Sequence, residues 1–408
     1  MRILFILSCI LVCSCTNKAS KSEGVRNLFL EYGYQQDSID AKLSKAYADL
    51  FEGPHRIYFE VGDSMAYVSD IKNNDARSEG LSYGMMVAVQ LNKKDAFDRI
   101  WRWTKTYTQH QEGPRKGYFS WSIHPESQRK NAENSASDGE LYFVTALLFA
   151  SNQWGNDTGI DYYAEARNIL DAMWEKDGTG NVFHLINLDA KQISFVPEGN
   201  AYTWTDPSYH IPAFYEIWAK YANDGHEDFY RACADTSRAF LHRACHPVTG
   251  LNADYTDFSG EPRSSRWMPA AFRYDSWRVP MNIALDYTWS GADAAWQKEY
   301  AQRIQSFFYA QGVDRFVDQY NLDGTEPEFI LQAGGFRTLR HSLGLVSTTA
   351  TTALIHRDAQ SEAFVRALWN AELKPYEDGY FDPYYDGLLY LFSLMHLSGN
   401  YRDITPQK

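Results

Sequence analysis

Apolar positions recur every three to four residues along most of this chain, the spacing of helices that bury one face. The pattern predicts helices near 37–51, 79–91, 95–109, 138–153, 161–176, 208–222, 226–243, 280–290, 292–311, 343–356, 359–370 and 384–398. Helix-ending residues close several of them: Gly155-Asn156, Asp177-Gly178, Asn223-Asp224-Gly225 and Gly399-Asn400. The helices come in pairs joined by short loops. Two short extended stretches interrupt them, a strand over 56–61 and a hairpin from 182–186 to 193–196 turning at Asp189-Ala190. No linker rich in Pro, Gly or Ser splits the series, and no sequence repeat is visible, so the helices belong to one domain. Paired helices closing on themselves predict an all-α (α/α)6 barrel with short β-hairpins in its loops. An open helical solenoid is the alternative.

The N-terminus breaks this pattern. Arg2 precedes an apolar run over 3–12, then Cys13-Ser14-Cys15. The run is too short to span a bilayer, and a basic start, an apolar stretch and small residues make a secretory signal. Val12-Cys13-Ser14-Cys15 resembles a bacterial lipobox. The expected division is a signal peptide over 1–14, a polar tether over 15–24 that begins at lipidated Cys15, and a folded domain over 25–408. This implies an exported protein, lipid-anchored to the cell envelope on its periplasmic or outer face. An ordinary cleaved signal without an anchor is the alternative. Three of the five cysteines fall in this N-terminal segment, leaving Cys233 and Cys245. Phe229, Cys233, Phe240 and Ala244 mark one helical face. On a continuous helix the two cysteines would be about 18 Å apart, so both are expected to be free, buried thiols.

At a net charge of −13 the chain is a poor partner for nucleic acid, whose phosphates demand a basic face. Aromatics reach 15%. They fill a large core well, and they also suit a sugar groove, because pyranose rings stack their C–H faces on aromatic rings. No P-loop, no GxGxxG after a strand, no HExxH and no GxSxG occurs. His242, Cys245 and His246 loosely suggest a metal site but lack a fourth ligand at usable spacing.

Three carboxylates at or before helix starts are the candidates for chemistry. Glu79 lies in Arg77-Ser78-Glu79-Gly80-Leu81-Ser82-Tyr83-Gly84-Met85-Met86, where Gly80, Ser82 and Gly84 leave room for a ligand. A helix start favours an ionised acid, so a proton donor here needs burial or a nearby carboxylate to raise its pKa. Asp138 lies in Ser137-Asp138-Gly139-Glu140, where Ser137 and Glu140 fit a capping box and leave Asp138 free. Asp275 lies in Phe272-Arg273-Tyr274-Asp275-Ser276-Trp277-Arg278, and a carboxylate between two arginines stays ionised, as a base must. Each has a bland alternative: an acid favoured by the positive helix end for Glu79, a solvated N-terminal acid for Asp138, and a buried Arg–Asp pair for Asp275. In an (α/α)6 barrel the inner helix starts gather at one end, which would bring the three together. Aromatics accompany them at Tyr118-Phe119-Ser120-Trp121, Tyr202 to His210, Trp267 and Tyr380 to Tyr385.

Together these three acidic motifs resemble glycoside hydrolase family 8, and within it the reducing-end xylose-releasing exo-oligoxylanases. The segments over 27–34 and 318–324 add to the match, which covers about 25–400. The resemblance implies hydrolysis with inversion by a single displacement, with Glu79 as general acid and Asp275 as general base. It implies that Asp138 holds the sugar before the scissile bond, that Trp121 and Tyr209 line subsites, and that Arg278 orients Asp275. It implies no metal and no cofactor. Xylo-oligosaccharides are then the substrate, the only membrane contact is through the lipid anchor, and the chain acts as a monomer. In these exo-enzymes a late loop carrying Leu-His-Pro closes the cleft. Here the comparable stretch, 335–344, holds His341 between Arg340 and Ser342. An endo-xylanase or endo-glucanase of the same family is the nearest alternative, and a non-catalytic glycan-binding lipoprotein is the alternative from another class.

Overall fold

A computed structural model describes residues 26–265, 268–331 and 338–406. The signal segment, Cys15, the tether, Trp267 and residues 335–337 of the late loop lie outside the described residues.

The helices in chain order are α1 (Leu28–Glu31), α2 (Gln36–Phe51), α3 (Ser78–Gln90), α4 (Lys94–Tyr107), α5 (Ser137–Trp154), α6 (Tyr162–Trp174), α7 (Pro212–Tyr221), α8 (Glu227–Ala244), α9 (Arg278–Trp289), α10 (Ala294–Gln311), α11 (Leu343–Thr351), α12 (Ala359–Asn370) and α13 (Tyr385–Leu397). They alternate between two rings. The odd-numbered helices from α3 to α13 are buried on nearly every side, because their sequences are apolar all round; α13 reads YDGLLYLFSLMHL. The even-numbered helices bury one face only. In α4 that face carries Phe97, Ile100, Trp101 and Trp103. Each inner helix packs on the next, from α3 through α13. Closure comes where α13 returns to α3: Tyr83 and Phe392 meet edge to face at 5.2 Å, and Tyr142 of α5 joins them at 4.6 Å from Tyr83. This closure makes the molecule an (α/α)6 barrel and disposes of the open solenoid.

One helix start moved for a local reason, and one short helix is additional. The helix expected from 208 starts at Pro212, after a 3-10 turn over Pro207–Tyr209. Pro212 keeps Ile211 out of the helical region, at φ −124° and ψ 77°. The unpredicted α1 is a single turn capped by Asn27, whose side chain accepts from Leu30 N at 3.1 Å. The extended stretches are β1 (Tyr58–Val61), β2 (Met65–Val68), β3 (Ala76–Arg77), β4 (Ser122–Ile123), β5 (Lys130–Ala132), β6 (Ile186–Asn187) and β7 (Gln192–Ile193). β1 pairs with β2, β4 sits between β3 and β5, and β6 pairs with β7, all antiparallel. The expected hairpin around Asp189-Ala190 is this last pair, with shorter arms. Cys233, inside α8, and Cys245, at its C-terminal end, are free and buried.

Candidate active site

Every inner helix runs the same way, because an outer helix returns the chain after each one. Their N-terminal ends therefore share one end of the barrel. Six of the residues considered below stand at or just before those starts: Glu79 on α3, Asp138 on α5, Asp206 before α7, Asp275 before α9, His341 before α11 and Tyr384 before α13.

Arg278, in the first turn of α9, organises this end. Its Nη1 donates to Glu79 Oε2 at 2.8 Å, to Tyr83 Oη at 2.9 Å and to Asp138 Oδ2 at 3.0 Å. Its Nη2 donates to Asp275 Oδ1 at 3.0 Å. The two sequence-predicted acid/base candidates thus sit on neighbouring nitrogens of one buried guanidinium. The path through that planar fork limits their oxygens to about 8 Å apart, which admits the ~6.5–9.5 Å separation that leaves room for a water in an inverting pair.

The electrostatics separate the acids. Burial raises the Glu79 pKa to about 7; Arg278 opposes this, and the charges of Asp138 and Asp275 add to it. Asp138 is also raised by burial, against Arg278. Asp275 is the most open of the cluster, its side chain 30% exposed against 5% for Asp138. It follows Tyr274, a non-glycine residue held at φ +38°, a conformation that needs support from its surroundings. Tyr385 supplies part of it by donating its hydroxyl to the Tyr274 carbonyl at 2.9 Å.

Three expectations are corrected here. Gly80 and Gly84 do not open space for a ligand. A Cβ at Gly80 would lie 2.4 Å from Tyr384 Cε2, and one at Gly84 would lie 2.7 Å from Val68 Cγ2. Both glycines let other elements lie against α3, and the Tyr384 ring so admitted donates its hydroxyl to Glu79 Oε1 at 3.0 Å. Asp275 is not held by two arginines. Extended backbone at Arg273 (φ −170°) sends its side chain to Asp254 at 2.8 Å and to the Pro269 carbonyl at 2.7 Å. The capping box at Ser137 is absent, because α5 starts at Ser137 itself with Ala136 as N-cap. Glu140 is buried and instead accepts from Phe119 N at 3.2 Å.

The softer candidates are placed as follows. Trp121 is partly exposed, accepts from Ser78 N at 2.9 Å through its carbonyl, and has the Arg77 guanidinium 5.8 Å from its ring. Tyr209 is buried with its ring 5.5 Å from the Arg278 guanidinium, backed by Phe195. His341 donates from Nδ1 to the Phe316 carbonyl at 2.7 Å and packs on the Phe316 ring. Sequence reasoning missed the roles of Tyr83, Tyr384 and Asp206. Only Asp206 carried a local signal, since Asp-Pro-Ser is an N-cap followed by proline at the first helical position.

This geometry coincides with a family assignment over most of the chain. The model of glycosyl hydrolases family 8 matches residues 67–395. The chain belongs to glycosyl hydrolase family 8. It is similar to the reducing-end xylose-releasing exo-oligoxylanase Rex8A of Paenibacillus barcinonensis, at 40% identity over 95% of this chain and 99% of that one. It is 37% identical to the reducing end xylose-releasing exo-oligoxylanase of Halalkalibacterium halodurans, over 96% of this chain and 97% of that one. A solved structure of a Rex8A variant complexed with an arabinofuranosyl-xylotetraose superposes with a TM-score of 0.84, at 38% identity, covering 93% of this chain and 97% of that one. The barrel is therefore that of a family 8 glycosidase, and the shared arginine and the carboxylates stand at its inner helix starts.

Proposed function

We propose that this family 8 enzyme releases xylose from the reducing end of β-1,4-xylo-oligosaccharides, with inversion. The observation that carries the chemistry is the single guanidinium shared by Glu79 and Asp275. Glu79 retains its proton to about pH 7 and gives it to the glycosidic oxygen as the bond to the anomeric carbon breaks. Asp275 takes a proton from the water that attacks that carbon from the other face. General acid and base of this kind each contribute roughly 10²–10⁴ in rate. Asp138 holds the sugar before the scissile bond, Trp121 and Tyr209 line the subsites, and His341 stands toward the end of the cleft. The preference for xylose and for the reducing end is supported by the two near-full-length relatives and the xylotetraose complex.

The same reading includes export. The segment before residue 16 supports a lipoprotein signal with Cys15 as the lipidated residue and a location in the bacterial cell envelope. Mass spectrometry of the mature N-terminus tests the anchor: an acylated Cys15 supports it, and an unmodified new N-terminus removes it.

The deciding experiment is a timed digest of xylopentaose labelled at its reducing end, with cellopentaose in parallel. Labelled xylose with unlabelled xylotetraose is expected first. Labelled xylobiose and xylotriose from the outset would make the enzyme an endo-xylanase. Cleavage of cellopentaose alone would make it a glucanase, and binding without cleavage of either would leave a glycan-binding protein.

A further inference from the structure

Asp206 is a fourth carboxylate at this end of the barrel, and the acid/base chemistry above gives it no part. Its side chain is completely buried. Oδ1 accepts from Ser208 N at 2.7 Å. Oδ2 has no hydrogen-bond partner among the described residues and is closed to solvent. It lies 3.9 Å from Arg278 Nη2, the nitrogen that bonds Asp275. The loop does not depend on that free oxygen for its place. Thr205 pairs with Thr256 through the backbone, and Asn282 holds the Ser208 carbonyl at 2.7 Å. A buried carboxyl oxygen left open is costly, and because water cannot reach it, it cannot act on the substrate directly.

The reaction itself shows what this oxygen can do. Before the proton transfers, Asp275 is the anion on Nη2 and Glu79 is neutral on Nη1. As Glu79 gives its proton to the leaving oxygen and Asp275 takes one from the attacking water, the two charges exchange. The negative charge moves from the Nη2 side of Arg278 to the Nη1 side, where Asp138 and the Tyr83 hydroxyl already bind. Nη2 carries two N–H groups, and Asp206 is the other carboxylate within 4 Å of it.

We propose that Asp206 is a positioning residue, the standby acceptor for Arg278 Nη2, which keeps the guanidinium on the Asp275 side while the charges exchange. Nη2 lies 3.9 Å from Asp206 Oδ2, so a movement of about 1 Å makes the hydrogen bond when Asp275 loses its charge. Burial, then the charge of Asp275, push the Asp206 pKa upward, against Arg278. The phenols of Tyr142, Tyr209, Tyr255 and Tyr385 also face Arg278 or Asp206. Burial holds all four above their ordinary pKa, so they stay neutral through the working pH range.

Two variants of the whole chain separate the possibilities, assayed on xylotriose across pH. Asp206→Ser keeps an oxygen for Ser208 N but cannot reach Arg278, whereas Asp206→Asn keeps the size and the cap but turns an N–H donor, not an acceptor, toward Nη2. Asp206→Ser is expected to lower kcat about 10- to 100-fold, with KM nearly unchanged because Asp206 does not touch substrate. The alkaline limb of its pH profile should move down by about half a unit or more. Without its standby partner Arg278 leans toward Glu79, which lowers the Glu79 pKa. Asp206→Asn, which sets a donor against Nη2, is expected to lose kcat and shift the profile in the same way. An unchanged profile in either variant overturns the proposal. A shift of both limbs to lower pH in both variants would make Asp206 a plain negative charge, and also overturns it. The inference rests on Glu79 and Asp275 as acid and base. Full activity in Glu79→Gln would end that reading, whereas an inactive Glu79→Gln beside an unchanged Asp206→Ser would end only this one. Thermal midpoints of both variants show whether either has merely failed to fold.

Discussion

Replacing Tyr384 with Phe tests whether Glu79 is the acid and whether its surroundings set its proton affinity. The Tyr384 ring lies on Gly80 and is almost wholly buried, and its hydroxyl donates to Glu79 Oε1 at 3.0 Å. Phenylalanine keeps the ring and removes only the donor. A hydrogen bond to a charged acceptor is worth about 1.5–3 kcal/mol and one between neutral groups about 0.5–1.5 kcal/mol. The ionised form of Glu79 therefore loses about 1 kcal/mol more than the protonated form, which is roughly 0.7 of a pKa unit at 1.36 kcal/mol per unit. The sign follows from which form is favoured. The donor stabilises the carboxylate, so its loss raises the Glu79 pKa from about 7 to nearly 8. A general acid must be protonated to work, so the alkaline limb of kcat should move up by that amount while the acid limb stays in place. Burial, and then the charge of Glu79, hold the Tyr384 phenol well above its ordinary range, so Tyr384 itself does not titrate within the assay. Initial rates on reducing-end-labelled xylotriose from about pH 4 to 9 measure the limb, and isotope-edited infrared titration of the carboxyl measures the group itself. An alkaline limb that stays put or moves down in Tyr384→Phe refutes the assignment of that limb to Glu79.

Other outcomes follow from the same geometry. Glu79→Gln and Asp275→Asn should each lower kcat on natural xylo-oligosaccharides by about 10²–10⁴ with an unchanged circular dichroism spectrum; full activity in either removes that residue from its role. Gly80→Ala would force a Cβ to within 2.4 Å of the Tyr384 ring. It should cost about 1–3 kcal/mol in denaturant unfolding and move the alkaline limb as Tyr384→Phe does, since the ring must leave Glu79. Asp286 accepts from Arg238 at 2.8 and 3.0 Å and from Gln297 at 2.7 Å, all buried. Asp286→Asn should cost about 3–5 kcal/mol and lower the thermal midpoint by several degrees while leaving kcat at 25 °C intact. Burial pushes the Cys245 thiol up to about 12 and raises Cys233 as well, so neither should react with a thiol reagent until the protein is unfolded in denaturant.

Local features of the chain are legible from its residues alone. Helix positions were readable because an apolar face repeats every few residues within one segment, and the helices found agree with the periodicity to within a few residues at most ends. Where proline intervened, at Pro212, the boundary moved. The three acidic motifs were readable because each lies within a short window at a helix start, and their combination was enough to point to the family.

Partner choice was decided only by the tertiary structure. Asp275 has an arginine two residues before it and another three residues after, with nothing in the sequence to rank them; extended backbone at Arg273 sends one to Asp254 and leaves Arg278 to the site. Arg278 meets Glu79 and Asp138 across 199 and 140 residues of chain, and Tyr384 meets Glu79 across 305. Such pairings depend on ring closure, which places the starts of α3 and α13 side by side. The glycines beside Glu79 read as space for a ligand because a missing side chain looks the same in sequence whether a sugar or a tyrosine fills the gap. Asp206 was overlooked for the same reason: its local geometry is an ordinary N-cap, and its free oxygen gains meaning only beside an arginine that belongs to another helix.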